Sequence, residues 1–178
     1  IQTLGIEGNY IFCCKKEHIE KFKIDELLKK AVPNCKIVSI DYQTKGTAQS
    51  VLEAIEFIDN DEELIISDTD HYLKWDNDFF NNEIRKKDID GCVMVFPEEY
   101  TSKKASYVKL DNQGYVIESA EKQPISKIAT VGVHYFKKGS DFVKYANQMI
   151  DNGLEFNNEF YVTPVYNLFV KENKKIIT

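Results

Sequence analysis

The sequence predicts a three-layer α/β/α domain on a mixed, mostly parallel sheet. Short apolar runs alternate with amphipathic helical stripes through roughly the first hundred residues. A hairpin signal and a long strand then interrupt that alternation. The 178 residues suffice for one domain with a substantial core, and 43% hydrophobic with 29% charged residues is ordinary for a globular chain.

Taken in order, Tyr10-Ile11-Phe12-Cys13-Cys14 reads as a buried strand. Ile24, Leu27, Leu28 and Ala31 fall at helical spacing, with Asp25 as a plausible N-cap and Pro33-Asn34 as the stop. Lys36 to Ile40 is the next strand, and Ala48, Val51, Leu52 and Ile55 form a second helical stripe. Leu64-Ile65-Ile66 is a short strand running into Ser67-Asp68-Thr69-Asp70, with a polar helix expected from about Asp76 to Lys86. Cys92 to Phe96 is a strand stopped by Pro97. Parallel order follows from apolar strands joined by helices, so the runs near Tyr10, Ile37, Ile65, Val93 and Val131 are expected side by side. Asp111-Asn112-Gln113-Gly114 between Tyr107–Leu110 and Tyr115–Ile117 signals a hairpin. Ile128 to Phe136 is a long strand, Phe142 to Ile150 a helix stripe, Pro164 to Lys171 a final helix, and Lys175-Ile176-Ile177 the start of a strand.

The net charge of −6 argues against a nucleic-acid surface, which needs clustered Lys and Arg. It leaves a nucleotide substrate open, because carboxylate-bound metal brings phosphate to acidic protein. No apolar run is long enough to span a bilayer, and no secretory signal is visible. The cysteines, Cys13, Cys14, Cys35 and Cys92, form no C-x-x-C pair. Buried reduced thiols are the simplest account, which points to a cytoplasmic location.

Four segments carry candidate chemistry. Lys45-Gly46-Thr47-Ala48 joins a strand to a helix, where backbone N–H groups can face an anion or a base edge; the plainer reading is a turn with Thr47 as N-cap. Asp68-Thr69-Asp70-His71 ends a strand, and its two carboxylates suit a hard cation such as Mg²⁺. Asp is also common after strands, and His71 reads as a solvated or core histidine before it reads as a ligand. Glu121-Lys122 offers a phosphate-binding ammonium or an exposed ion pair. Glu159 in Asn157-Asn158-Glu159-Phe160-Tyr161 can accept hydrogen bonds from sugar hydroxyls, or complement a helix dipole.

In this order the motifs resemble those of bacterial sugar-phosphate nucleotidylyltransferases, the glucose-1-phosphate thymidylyltransferase-like and capsular-polysaccharide group. The matching stretches are Lys45–Ala48, Leu64 through Asp76, Ala120-Glu121-Lys122, Ile128–Val133 and Glu159–Pro164. The resemblance implies a Rossmann-like, GT-A type nucleotide-diphospho-sugar transferase fold occupying residues 1–178 as one domain. It implies transfer of a nucleotide from a nucleoside triphosphate to a sugar 1-phosphate, releasing pyrophosphate, with Mg²⁺. The product would serve surface polysaccharide biosynthesis. Gly46 and Thr47 correspond to the nucleotide-facing segment, and Asp70, with Asp68 beside it, to the metal site. Lys122 and Glu121 correspond to residues handling the sugar phosphate, Gly132 to the residue against the sugar, and Glu159 to the acid holding its hydroxyls. Asp70 and Lys122 would be catalytic. These residues are expected around one cleft, and a homo-oligomer is compatible with this reading.

Three departures stand against the family pattern. The opening Gly-rich loop with its Arg and Lys does not precede Ile1, a second downstream metal ligand is not matched, and Asp41 stands where a base-reading Gln is usual, with Gln43 off register. The domain is thus expected to be truncated at both ends relative to the family, and the chain as given to turn over poorly. Two other functions fit the same segments: a glycosyltransferase using Asp68-Thr69-Asp70 as a D-x-D metal site, and a non-catalytic sugar-nucleotide-binding fragment.

Overall fold

The computed structural model describes residues 5–86, 88–98 and 102–178. The chain begins with strand β1 (Ile11–Lys15), two short helices α1 (Lys16–Phe22) and α2 (Ile24–Ala31), and strand β2 (Lys36–Ile40). Helices α3 (Thr47–Leu52) and α4 (Ile55–Ile58) lead to β3 (Leu64–Ser67), then α5 (Asn77–Lys86) and β4 (Gly91–Pro97). The hairpin β5 (Tyr107–Leu110) and β6 (Val116–Ala120) precedes the long β7 (Ile128–Phe136). Helix α6 (Gly139–Asp151), a 3₁₀ turn (Thr163–Val165), α7 (Tyr166–Lys171) and β8 (Ile176–Ile177) complete it.

The mixed α/β class holds. β7 is the axis of a six-stranded sheet, with β4 antiparallel along one edge and β3 antiparallel along part of the other. β8 runs parallel to β4, and β5 pairs antiparallel with both β6 and β7. β3, β4, β5 and β8 therefore point one way, β6 and β7 the other. Alternate residues feed two cores. Val93, Phe136 and Ile176 face an aromatic cluster with Phe142, Tyr145, Tyr166 and Phe169, where Tyr145 and Phe169 lie 4.5 Å apart between centroids. Cys92, Tyr135 and Ile177 face Phe80 and Ile84 of α5 on the opposite side. Helices thus cover both faces.

The side-by-side expectation needs correction. β1 and β2 pair in parallel with each other, but form a separate two-stranded sheet among the described residues. β3 and β4 do not pair either; both flank β7, which follows β3 by some sixty residues. Apolar strand runs are silent on which strand lies beside which, and the first of them, read as buried, holds no fully buried residue, with Cys13 exposed.

Local expectations shift too. The N-cap of α2 is Lys23 at φ 51, not Asp25, because α1 ends one residue earlier and the chain turns there through a left-handed residue. No residue of α2 is fully buried, and Leu27 is 55% exposed, since only a narrow sheet lies beneath it. The stripe from Ala48 to Ile55 is split into α3 and α4 around Glu53 and Ala54. Asp76 does start α5: its carboxylate accepts from Phe79 N–H at 2.9 Å, the geometry of an N-cap.

Candidate functional site

On one edge of β7, β3 covers Val133 to Phe136, whereas β5 reaches only Ala129. Between those contacts β7 bulges, as its pairing with β4 on the opposite edge shows. Val93 faces His134 and Val95 faces Thr130, so the single residue Met94 stands opposite three on β7. Gly132 sits in that bulge at φ 73. A cleft of about 440 Å³ opens above it, at the carboxyl end of β3, where ligands gather in open α/β sheets. Thr47, Asp68, Asp70, Glu121, Lys122, Gly132, His134 and Tyr161 are among its lining.

Asp68 follows the last residue of β3 and continues its ladder, donating its N–H to Gly132 O at 2.9 Å. A Cβ on Gly132 would lie 2.2 Å from the Asp68 carboxylate oxygen. The glycine is therefore required first by the acid, and its position against a sugar is secondary. Protein packed around Asp68, and then Asp70, raises the Asp68 carboxyl above the usual range. Asp68, Asp70 and His71 each offer a ligand atom, all within 4.8 Å of one another, with the His71 ring 3.5 Å from Asp70. Two neighbouring carboxylates with an imidazole beside them are a donor set that a hard divalent cation fits.

Glu121 is not half of an exposed ion pair. It is 6% exposed, accepts from the Ser106 hydroxyl, and burial raises its carboxyl. Lys122, at φ 51, instead donates to Tyr161 Oη at 2.6 Å, with Nζ 4.6 Å from the ring centroid. The Tyr161 hydroxyl donates to Glu159. Glu159 thereby borders the cleft through Tyr161 rather than lining it.

Gly46 is not among the residues lining the cleft, although its neighbour Thr47 is. It lies at φ 100, and an added Cβ would meet Phe160 O at 2.4 Å. Phe160 N–H donates to Lys45 O at 2.7 Å and Ala48 N–H donates to Phe160 O at 2.9 Å. Thus the Ala48 N–H expected to face a ligand is used internally. Gly46, not Thr47, is the N-cap, with no side-chain cap hydrogen bond; Thr47 opens α3 and turns to the cleft. The two motifs Lys45–Ala48 and Glu159–Tyr161 are one structural unit.

Two residues escaped sequence reasoning. Tyr161 was legible only as part of a motif. His134 is the one titratable imidazole in a mostly apolar strand, which was the available signal. It is 4% exposed, its Nδ1 is buried without a hydrogen-bond partner among the described residues, and burial lowers its pKa to about 3. Asp41 and Gln43 lie elsewhere, in a smaller hollow of about 260 Å³ with Tyr42 and Lys15, where Gln43 accepts from Lys15 at 2.8 Å.

Fold and cleft together define an open α/β domain with an acidic site at a strand end. The family model described as nucleotidyl transferase matches residues 8–161, and the chain belongs to that family. It is similar in structure to a nucleoside-diphosphate-sugar pyrophosphorylase from Vibrio cholerae RC9, with a TM-score of 0.76, 17% identity, and coverage of 96% of this chain and 72% of that one. It is also similar to a UDP-glucose pyrophosphorylase complexed with UDP-glucose, with a TM-score of 0.60 and 16% identity. There the match covers 88% of this chain and 62% of that one. No curated protein matches the sequence. Among the described residues no helix is long and apolar enough to cross a membrane.

Proposed function

We propose that the cleft transfers a nucleotide from a nucleoside triphosphate to a sugar 1-phosphate. The observation that carries this reading is the convergence of Asp68, Asp70, Glu121, Lys122 and the Glu159–Tyr161 pair on one opening, from three separate segments. In the reaction an acceptor phosphate oxygen bonds to the α-phosphorus while the bond from that phosphorus to the bridging oxygen breaks. Pyrophosphate leaves with the electron pair. The protein's part is positioning and charge neutralisation. Lys122 faces the acceptor phosphate, and Glu121 and Glu159 accept from sugar hydroxyls. Asp68 and Asp70 would hold Mg²⁺, which when bound supplies positive charge beside the phosphates.

This reading places the product in surface polysaccharide synthesis in the cytoplasm of a bacterium. The test is pyrophosphate release from a panel of nucleoside triphosphates and hexose 1-phosphates with Mg²⁺, using the protein with any flanking sequence its gene encodes. Release that depends on both substrates supports the proposal. Sugar transfer from a nucleotide sugar, without pyrophosphate release, would instead favour the glycosyltransferase reading of Asp68-Thr69-Asp70. Binding of a nucleotide sugar with neither reaction would favour a non-catalytic domain.

A further inference from the structure

We propose that Tyr161 is a positioning residue that ties Lys122 to Glu159 and sets the spacing between the cation and the carboxylate of the cleft. The inference rests on the functional reading above and gives Tyr161 a role that reading does not assign. Lys122 follows β6, whereas Glu159 lies in the loop before the 3₁₀ turn, 37 residues on by sequence number. Only tertiary structure brings them to a common partner. Lys122 donates to Tyr161 Oη at 2.6 Å, and the same hydroxyl donates to Glu159. A phenol has one proton and two lone pairs, so the direction of the chain is determined: ammonium to phenol to carboxylate.

The arrangement restrains Lys122 twice. Its backbone occupies the left-handed region at φ 51, which is unfavourable for a residue with a side chain. Its ammonium is held over the Tyr161 ring, with Nζ 4.6 Å from the centroid. The hydrogen bond to Tyr161 raises the Lys122 pKa, while burial and the bond to Glu159 raise that of Tyr161. Both protons stay in place at neutral pH. One ammonium proton is committed to Tyr161, and two remain for phosphate oxygens. Glu159 keeps its remaining lone pairs for hydroxyl donors. A phenylalanine at this position preserves the ring contact but leaves both charged groups untied.

The experiment compares the wild type with Tyr161→Phe. Acetylation by acetic anhydride at pH 8 is read by quantitative mass spectrometry, with exposed Lys109 and Lys171 as internal references. Lys122 should react more slowly than the references in the wild type. In Y161F it should gain on the order of 3- to 10-fold, since the free-amine fraction rises tenfold per unit fall in pKa. In parallel, calorimetry with glucose 1-phosphate should show affinity weakened roughly 10-fold, the KM for a sugar 1-phosphate rising more than kcat falls. Y161F and Glu159→Gln should combine to less than the product of their separate effects. Unchanged relative reactivity of Lys122 in a folded Y161F overturns the proposal. If Y161F does not fold, wild-type Lys122 reacting as fast as Lys109 overturns it equally. Absence of sugar phosphate binding by the wild type, with Lys122 nevertheless released in Y161F, would remove the functional reading and leave the tie itself established.

Discussion

At the residue scale, the contact between Asp68 and Gly132 is the tightest constraint in the cleft. A methyl on Gly132 would stand 2.2 Å from the Asp68 carboxylate, on a backbone at φ 73. Gly132→Ala should therefore push Asp68 aside and lower kcat/KM roughly 10- to 100-fold, as misplacement by about an ångström does in active sites. The check is steady-state pyrophosphate release beside a thermal melt; wild-type kinetics would show that Asp68 has room to move. Asp70→Asn keeps the shape but removes a charge from the carboxylate pair. It should abolish most of the activity and raise the Mg²⁺ concentration needed for half-maximal rate, read from a metal titration. His134 supplies a pH signature. Folded, its imidazole stays neutral down to about pH 3, whereas unfolded it protonates near its ordinary 6.5. The unfolded chain thus binds the extra proton between those values. The stability contributed by a neutral His134 is complete above about pH 6.5 and is lost as pH falls toward 3, by about 1.4 kcal/mol per pH unit. Asp68 and Glu121, with raised pKa values, slope the other way but are common to wild type and variant. Urea denaturation between pH 7 and 5 should show wild type losing stability faster than His134→Phe. Parallel curves would mean the ring finds a proton partner when charged.

At the element scale, the start of α3 and the loop before the 3₁₀ turn behave as one piece. Lys45 and Ala48 both bond to the Phe160 backbone, and Gly46 leaves the space for that approach. Gly46→Ala meets backbone atoms at 2.4 and 2.7 Å, which cannot rotate away as a side chain could. It should destabilise the fold by about 2 kcal/mol or more, measured by chemical denaturation, because a strained dihedral adds to the clash. Activity should fall in the same variant, since Thr47 and Tyr161 line the cleft on either side of this clamp. Equal stability to wild type would place the strain elsewhere. The apolar periodicity of α3 was legible; its break at Glu53 was not, because nothing local to Glu53 or Ala54 demands it.

At the scale of the whole molecule, stability is unevenly shared. Most of β7 is buried and it pairs along both edges, whereas α1 and α2 bury no residue fully beside the two-stranded sheet. Amide hydrogen exchange should be slowest in β4 and β7 and faster by orders of magnitude in α1 and α2. Uniform protection would show the small sheet to be docked more firmly than its burial implies. The sequence by itself determined what is local: the apolar strand runs, the hairpin at Asp111–Gly114, the helix start near Asp76, and the acidic loop after β3. Their periods and turn residues act within a few positions of one another. Only the tertiary structure decided which strands pair, that Gly132 makes room for Asp68, that Gly46 receives Phe160, and that Tyr161 stands between Lys122 and Glu159. The side-chain and glycine contacts among these join residues more than thirty positions apart, except the last step from Tyr161 to Glu159. Such pairings depend on which surfaces bury together, a property no single segment carries.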